Sequence, residues 1–164
     1  MRCGEFLCWR DDMVWLMLPA GIFAADYVIK KKAESWKEEE LPKKILNGKI
    51  LMKKYHNRGA ALNFMENRPQ ILTGCTAGMT AGLAGFYLWL MTGKEQILLK
   101  IGTGMLLGGA AGNVWDRLRR HYVVDYFSFR TKWKKLNKIV FNLSDMFIFL
   151  GAAIILWQNA FRKS

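Results

Sequence analysis

The chain has 164 residues, 52% apolar and 13% aromatic, with 25 Lys and Arg against 13 Asp and Glu for a formal net charge of +12. This length predicts one domain, residues 1–164, but the charges rule out an ordinary soluble layout: they are nearly absent from 71–93 and 146–161, sparse in 13–25 and 97–112, and dense between. Cys3, Cys8 and Cys75 form no CxxC pair, and His56 and His121 stand far from them, so neither a disulfide framework nor a metal site is expected, and no cofactor or nucleic-acid partner is implied.

The first 25 residues resemble a cleavable leader, with a basic start, an apolar run and the small Ala24 and Ala25. Asp11 and Asp12 dilute the basic region, and 26–30 continues the helical pattern, so a retained first helix over about 13–30 is expected. It closes with Asp26 and Lys30, four apart on one helix face in the favourable acid-before-base order. On this segment alone they read as an interfacial ion pair anchoring the helix end. Residues 31–70 are polar and aromatic, with mixed acids and bases of a solvated surface. Within them Asn47-Gly48 is a hairpin signal, and HNRGAALNF brings a polar Asn57 and a flexible Gly59 before small residues. A small, partly extended subdomain on the membrane surface is predicted there.

Residues 71–91 carry no charge, and 140–161 carry only Asp145; each has the roughly 20 residues that a membrane-crossing helix needs. A third span over about 97–116 begins with Lys100 as its one early charge. Gly74, Gly78 and Gly82, and then Gly104, Gly108 and Gly112, recur at the spacing that lets helix backbones approach closely, so both rows are expected to be packing seams. GTGMLLGGAAGN lacks the Gly-Lys-Ser/Thr ending of a phosphate-binding loop. Residues 92–96 make a tight connection, which pairs the second and third spans as an antiparallel hairpin. The fold class that follows is an all-α membrane protein of four transmembrane helices, with a partly β subdomain between the first two.

Polar residues collect where the third span ends. Asn113, Asp116 and Arg117 share a helical face, and Arg117 can neutralise Asp116, which makes that pair structural. Asp125 follows a short extended run, and Asp145 stands three residues after Asn142 at the head of the last span. If both segments lie at one membrane face, the two carboxylates can share a proton and act as acid and base on a water molecule. Ser128 and Ser144 lack a nearby histidine base in sequence, so a covalent mechanism has little support. A proteolytic dyad, a proton or ion relay, and purely structural acids all remain open on these grounds.

The segments DYVIK, NRGAALNF, GGAAGNVWDR, VVDYF and FNLSD together resemble signal peptidase II, the bacterial lipoprotein signal peptidase, in that family's order and spacing over roughly residues 13–161. The resemblance implies a monomeric aspartic peptidase of the cytoplasmic membrane that removes the signal peptide from diacylglyceryl-modified prolipoproteins just before the lipidated cysteine. It implies Asp125 and Asp145 as the catalytic pair. Asp26, Lys30, Asn57, Gly59, Asn113, Asp116, Arg117 and Asn142 match its supporting residues. Four positions depart from the usual pattern: Tyr27 where Gln often stands, Leu62 for Phe, His121 for Gly and Ser144 for Ala.

The family topology places residues 31–70 outside the cell as a cradle over the site, with both termini in the cytoplasm. The charges run the other way: 6 Lys and Arg lie on the side of the termini, and 19 on the side of the site. The positive-inside rule would make the latter side cytoplasmic. The substrate's lipidated cysteine lies at the outer leaflet, and a basic rim could bind anionic headgroups of the membrane lipids, so the family orientation is the one expected.

Overall fold

The computed structural model describes residues 5–60, 65–93, 96–133 and 136–161. Among these, four long helices and three strands follow in the order α1 (Glu5–Glu34), β1 (Lys43–Ile45), β2 (Ile50–Asn57), α2 (Pro69–Met91), α3 (Ile97–Arg120), β3 (Val123–Phe129) and α4 (Leu143–Phe161). The first helix is longer than the 13–30 read from the sequence, and the last starts at Leu143 because Asn142 caps it. Three helices, α2, α3 and α4, are long and apolar enough to cross a membrane. Helix α1 is long enough but bears charges towards both ends.

Helix α3 lies centrally and packs against α1, α2 and α4. Its glycines explain how. A Cβ on Gly102 would sit 2.9 Å from the carbonyl oxygen of Gly151, and one on Gly109 would sit 2.5 Å from that of Ser144, so α3 and α4 touch backbone to backbone. Gly108 is closed in the same way by Pro19 and Ile22 of α1. The second row behaves differently. At Gly74, Gly78 and Gly82 a Cβ would meet nothing within 4 Å, so the expected seam on α2 does not form within this chain. The α2 surface exposes Met79, Leu88 and Trp89, apolar side chains suited to lipid.

A hydrogen bond joins α1 to α2. Pro19 sits inside α1 and has no N–H to offer the carbonyl of Trp15, four residues earlier. The hydroxyl of the fully buried Tyr87 donates to that carbonyl at 2.7 Å. A defect in one helix thus becomes the attachment point of another.

The sheet has the order β1-β2-β3 and is antiparallel throughout. The hairpin expected at Asn47-Gly48 is present: Leu46, Asn47 and Gly48 all have positive φ between Ile45 and its partner Ile50. The surface subdomain is not confined to 31–70, because its third strand comes from the segment after α3. Val124 and Tyr126 of that strand pack on Ala33 at the end of α1, so the sheet rests directly on the bundle. Glu34 reinforces this joint, accepting from the Tyr122 hydroxyl at 3.3 Å and lying 3.1 Å from His56 Nε2.

The turn from α3 into β3 is made by His121 at φ 65°, in the left-handed region, with its N–H bonded to the Arg117 carbonyl at 3.1 Å. That conformation accounts for the glycine that the resemblance led one to expect. Histidine tolerates it at a cost of about 1 kcal/mol. Its side chain is exposed. Leu62, another of the departures, lies outside the described residues.

The Pro19 gap makes a stability prediction. Tyr87→Phe should destabilise the protein by about 1–3 kcal/mol, the cost of a buried carbonyl left unpaired. Thermal unfolding in detergent would show it as a lower midpoint. In a Pro19→Ala background, where residue 19 regains its N–H, the same substitution should cost much less; an equal loss in both backgrounds would refute the link.

Candidate active site

Asp26 and Lys30 are not an interfacial pair. Both are fully buried, 2.7 Å apart, and face α3. Lys30 Nζ also lies 3.0 Å from Asp116 Oδ2 and donates to Asn113 Oδ1 at 2.9 Å, so its three N–H donors each have a partner. Asp116 is therefore paired with Lys30 of another helix, with Arg120 of its own helix 3.6 Å away, and not with its neighbour Arg117 as the sequence suggested. Arg117 instead donates to the carbonyl of Gly59 at 2.9 Å, and Gly59 N–H is held by Asn57 Oδ1 at 3.1 Å. The reason is directional: Asp116 points into the bundle, whereas Arg117 lines a cavity beside β2.

From Asn113 the network continues to α4. Asn113 Nδ2 donates to Asp145 Oδ1 at 2.9 Å. Asn142 and Asp145 form a reciprocal helix cap: Asp145 N–H donates to Asn142 Oδ1 at 2.9 Å, and Asn142 N–H donates to Asp145 Oδ2 at 3.1 Å. The Asn142 amide then reaches Asn113 Oδ1 at 3.1 Å and Asp125 Oδ1 at 2.7 Å. Every donor and acceptor site that Asn142 presents to this region is occupied, which holds the two acids in a fixed relation.

Asp125 enters from β3. Its other oxygen accepts from Asn57 Nδ2 at 3.0 Å, so strands β2 and β3 orient it together. The carboxylate is almost fully buried. Burial, and then the charge of Asp145, push its pKa up to about 7, against the opposing pull of the Asn57 and Asn142 hydrogen bonds and of Lys30. Asp125 and Asp145 both line one cavity of about 630 Å³, with Asn57, Asn113 and Arg117 among its walls. A second, apolar cavity of about 390 Å³ between α2, α3 and α4 shares Asn113 and Arg117 with it.

The structure thus brings all ten residues singled out in the sequence to one end of the bundle. They divide into two layers. Asp125, Asp145, Asn57, Asn113 and Arg117 reach the cavity, while Asp26, Lys30 and Asp116 form a buried ionic layer behind it. Gly59 contributes backbone, Asn142 bridges the two acids, and Asn113, bonded to both Lys30 and Asp145, joins the layers.

Sequence reasoning missed two members. Ser144 is fully buried and donates to Asp26 Oδ2 at 2.6 Å, so this departure from the family pattern supplies a hydrogen bond. The Tyr126 hydroxyl accepts from Leu143 N–H at 2.8 Å and makes a long contact of 3.4 Å to Asp26 Oδ1; burial and Asp26 raise its pKa and keep the phenol protonated. Neither has a local signal, since the partners are 118 and 100 residues away from Asp26.

The pattern of the signal peptidase (SPase) II family matches residues 18–161. A lipoprotein signal peptidase of Moorella thermoacetica is 33% identical over 150 residues, covering 89% of this chain and 92% of the relative. One of Vibrio parahaemolyticus is 34% identical over 165 residues, covering 94% and 91%. A solved bacterial membrane enzyme, determined by the in meso method, has the same fold with a TM-score of 0.74 at 17% identity, covering 92% of both chains. The buried network at the bundle end and the pair of carboxylates it holds are thus found in a chain that belongs to the signal peptidase II family.

Proposed function

We propose that Asp125 and Asp145 are the catalytic dyad with which this member of the signal peptidase II family cleaves its prolipoprotein substrates. The observation that carries this reading is the Asn142 bridge, which bonds both carboxylates at the wall of one cavity. Two acids bridged by one residue, with the charge of Asp145 acting on Asp125, can share a proton. The ionised member takes a proton from a water molecule as the water attacks the scissile carbonyl. The protonated member then gives a proton to the departing amine. Asn113, Asn142 and Asn57 orient the acids, and the Lys30 layer supports them from behind.

The substrate class proposed is the diacylglyceryl-modified precursor, cut just before the lipidated cysteine. The apolar cavity beside Asn113 and Arg117 supports it, since that space suits an acyl chain approaching from the membrane. The working unit is a single membrane domain in which α1 also crosses the bilayer, as a monomer, with the sheet and the site on the extracytoplasmic face. The basic rim of the sheet would then meet anionic headgroups of the outer leaflet. The proton-relay reading is weaker because the ionisable network gathers at one end of the bundle. At the other end Lys100 is spent on the Gly93 carbonyl, 2.5 Å away, near Trp15.

Three outcomes follow. Asp125→Asn and Asp145→Asn should each lower cleavage of a lipidated precursor at least roughly a thousandfold, a loss of the order seen when one member of a catalytic unit is removed. An unmodified precursor run alongside should be cut poorly by the wild type; equal cutting of the two would sink the substrate class.

The pH dependence has a definite sign. Asp125 holds the shared proton up to about 7, so kcat/KM should fall about tenfold per unit above that pH as the pair loses its acid. Asn57 favours the ionised form of Asp125. Asn57→Ala should therefore move this alkaline limb to higher pH, whatever it does to the maximum rate. A limb that stayed put or moved lower would contradict the assignment.

Orientation can be read by cysteine labelling in a background without Cys3, Cys8 and Cys75. A membrane-impermeant maleimide should label Lys37→Cys from outside intact cells and leave Thr92→Cys untouched. The reverse pattern would overturn the topology and restore the positive-inside expectation.

A further inference from the structure

The cavity that holds Asp125 and Asp145 has both apolar and basic lining: Val140, Phe141 and Phe149 supply the first, and Lys53, Lys54 and Lys138 the second. The consecutive lysines owe this placement to a fault in the sheet. Between the pairs Met52↔Phe127 and Tyr55↔Asp125, strand β2 uses one residue more than β3, a bulge at Lys53–Lys54. In a regular strand neighbouring side chains point to opposite faces, but here Lys53, Lys54 and Tyr55 all line the cavity.

The lysines are not equivalent. Lys54 Nζ donates to the Trp36 carbonyl at 3.0 Å and lies 3.9 Å from Glu38, so it is committed to the structure. Among the described residues Lys53 and Lys138 have no such partner; Lys53 is half-buried and Lys138 exposed. With Arg117, four cationic groups among the described residues line the cavity, where the acidic lining among those residues is Asp125 and Asp145.

We propose that Lys53 and Lys138 set substrate preference just beyond the cut, favouring precursors with Asp or Glu at the second and third positions of the released lipoprotein and disfavouring Lys or Arg there. The inference rests on the dyad reading, because the scissile bond must sit at Asp125 and Asp145. The apolar wall then takes the membrane-embedded side of the substrate, and the chain leaving the site runs along the lysines. An extended peptide advances about 3.3–3.6 Å per residue, so these two positions fall within the same cavity. An acidic side chain there meets unpaired ammonium groups; a basic one meets repulsion. A lipid phosphate could offer the same charge, but the bulge turns the lysines towards the cavity holding the dyad, which favours the substrate.

The test uses the full-length protein in phosphatidylcholine bicelles with three lipidated precursors that differ only at those positions: acidic, uncharged and basic. At low salt the acidic precursor should exceed the basic one in kcat/KM by roughly three- to thirtyfold, as expected for a few partly exposed charge pairs. The ratio should shrink towards one in about 0.5 M salt. In the double variant Lys53→Glu, Lys138→Glu the ratio should fall below one; because it compares substrates on the same protein, a general loss of activity cancels. A wild-type ratio within twofold of one, or one that the double variant leaves unmoved, overturns the proposal while leaving the dyad intact if the uncharged precursor is still cut. Failure to cut any of the three overturns both. If added phosphatidylglycerol speeds all three equally while their ratio stays at one, the lysines serve lipid headgroups and the proposal fails.

Discussion

The Lys30 ammonium is the interaction on which the rest depends. An isolated cation in a bundle interior is very costly, and this one is accepted only because Asp26, Asp116 and Asn113 occupy its three donors. Those partners come from α1 and α3, so the ionic contact fixes the rotation of both helices. Asp26 carries the constraint to α4 through Ser144, and Asn113 carries it to Asp145. Three helices are thereby set in register. Removing one member would strand the others, which is why such layers are expensive to break even where they add little net stability.

Close helix approach makes this layer possible. A Cβ at Gly112 would stand 2.5 Å from Ser144 Oγ and 3.0 Å from Asp26 Oδ2, so any side chain there would push apart the groups that bond. The glycines of α3 therefore serve packing and polar geometry together. Helix α2 stands outside this polar arrangement: it packs on α3, is bonded to α1 through Tyr87, and turns much of its surface outward. Its apolar face needs a hydrocarbon environment, and the polar network needs exclusion from it; the bundle supplies the separation.

The sheet completes the site in two ways. Strand β3 delivers Asp125, and its bond to Asn57 links the acid to β2. Phe141 bonds to the same strand through Tyr126 and Phe127, which fixes the chain immediately before Asn142. Asp125 and Asp145 thus approach from elements that are themselves joined. A carboxylate held near neutral pKa by burial is unfavourable for folding, and its retention fits a group kept for chemistry.

Much was legible in the sequence by itself wherever the determining interaction is local. Runs poor in charge mark the long apolar helices, Asn47-Gly48 marks the hairpin, and the i, i+4 spacing marks the Asp26–Lys30 pair. The motifs in order mark the family. Tertiary structure alone decided which faces meet: that Lys30 and not Arg117 pairs with Asp116, that one glycine row packs and the other does not, that Ser144 reaches Asp26, and that a strand bulge turns two lysines into one cavity. Periodicity tells which residues share a face within a few turns. It carries no information on which distant face lies opposite, because that is settled by side chains brought together only when the helices and the sheet pack.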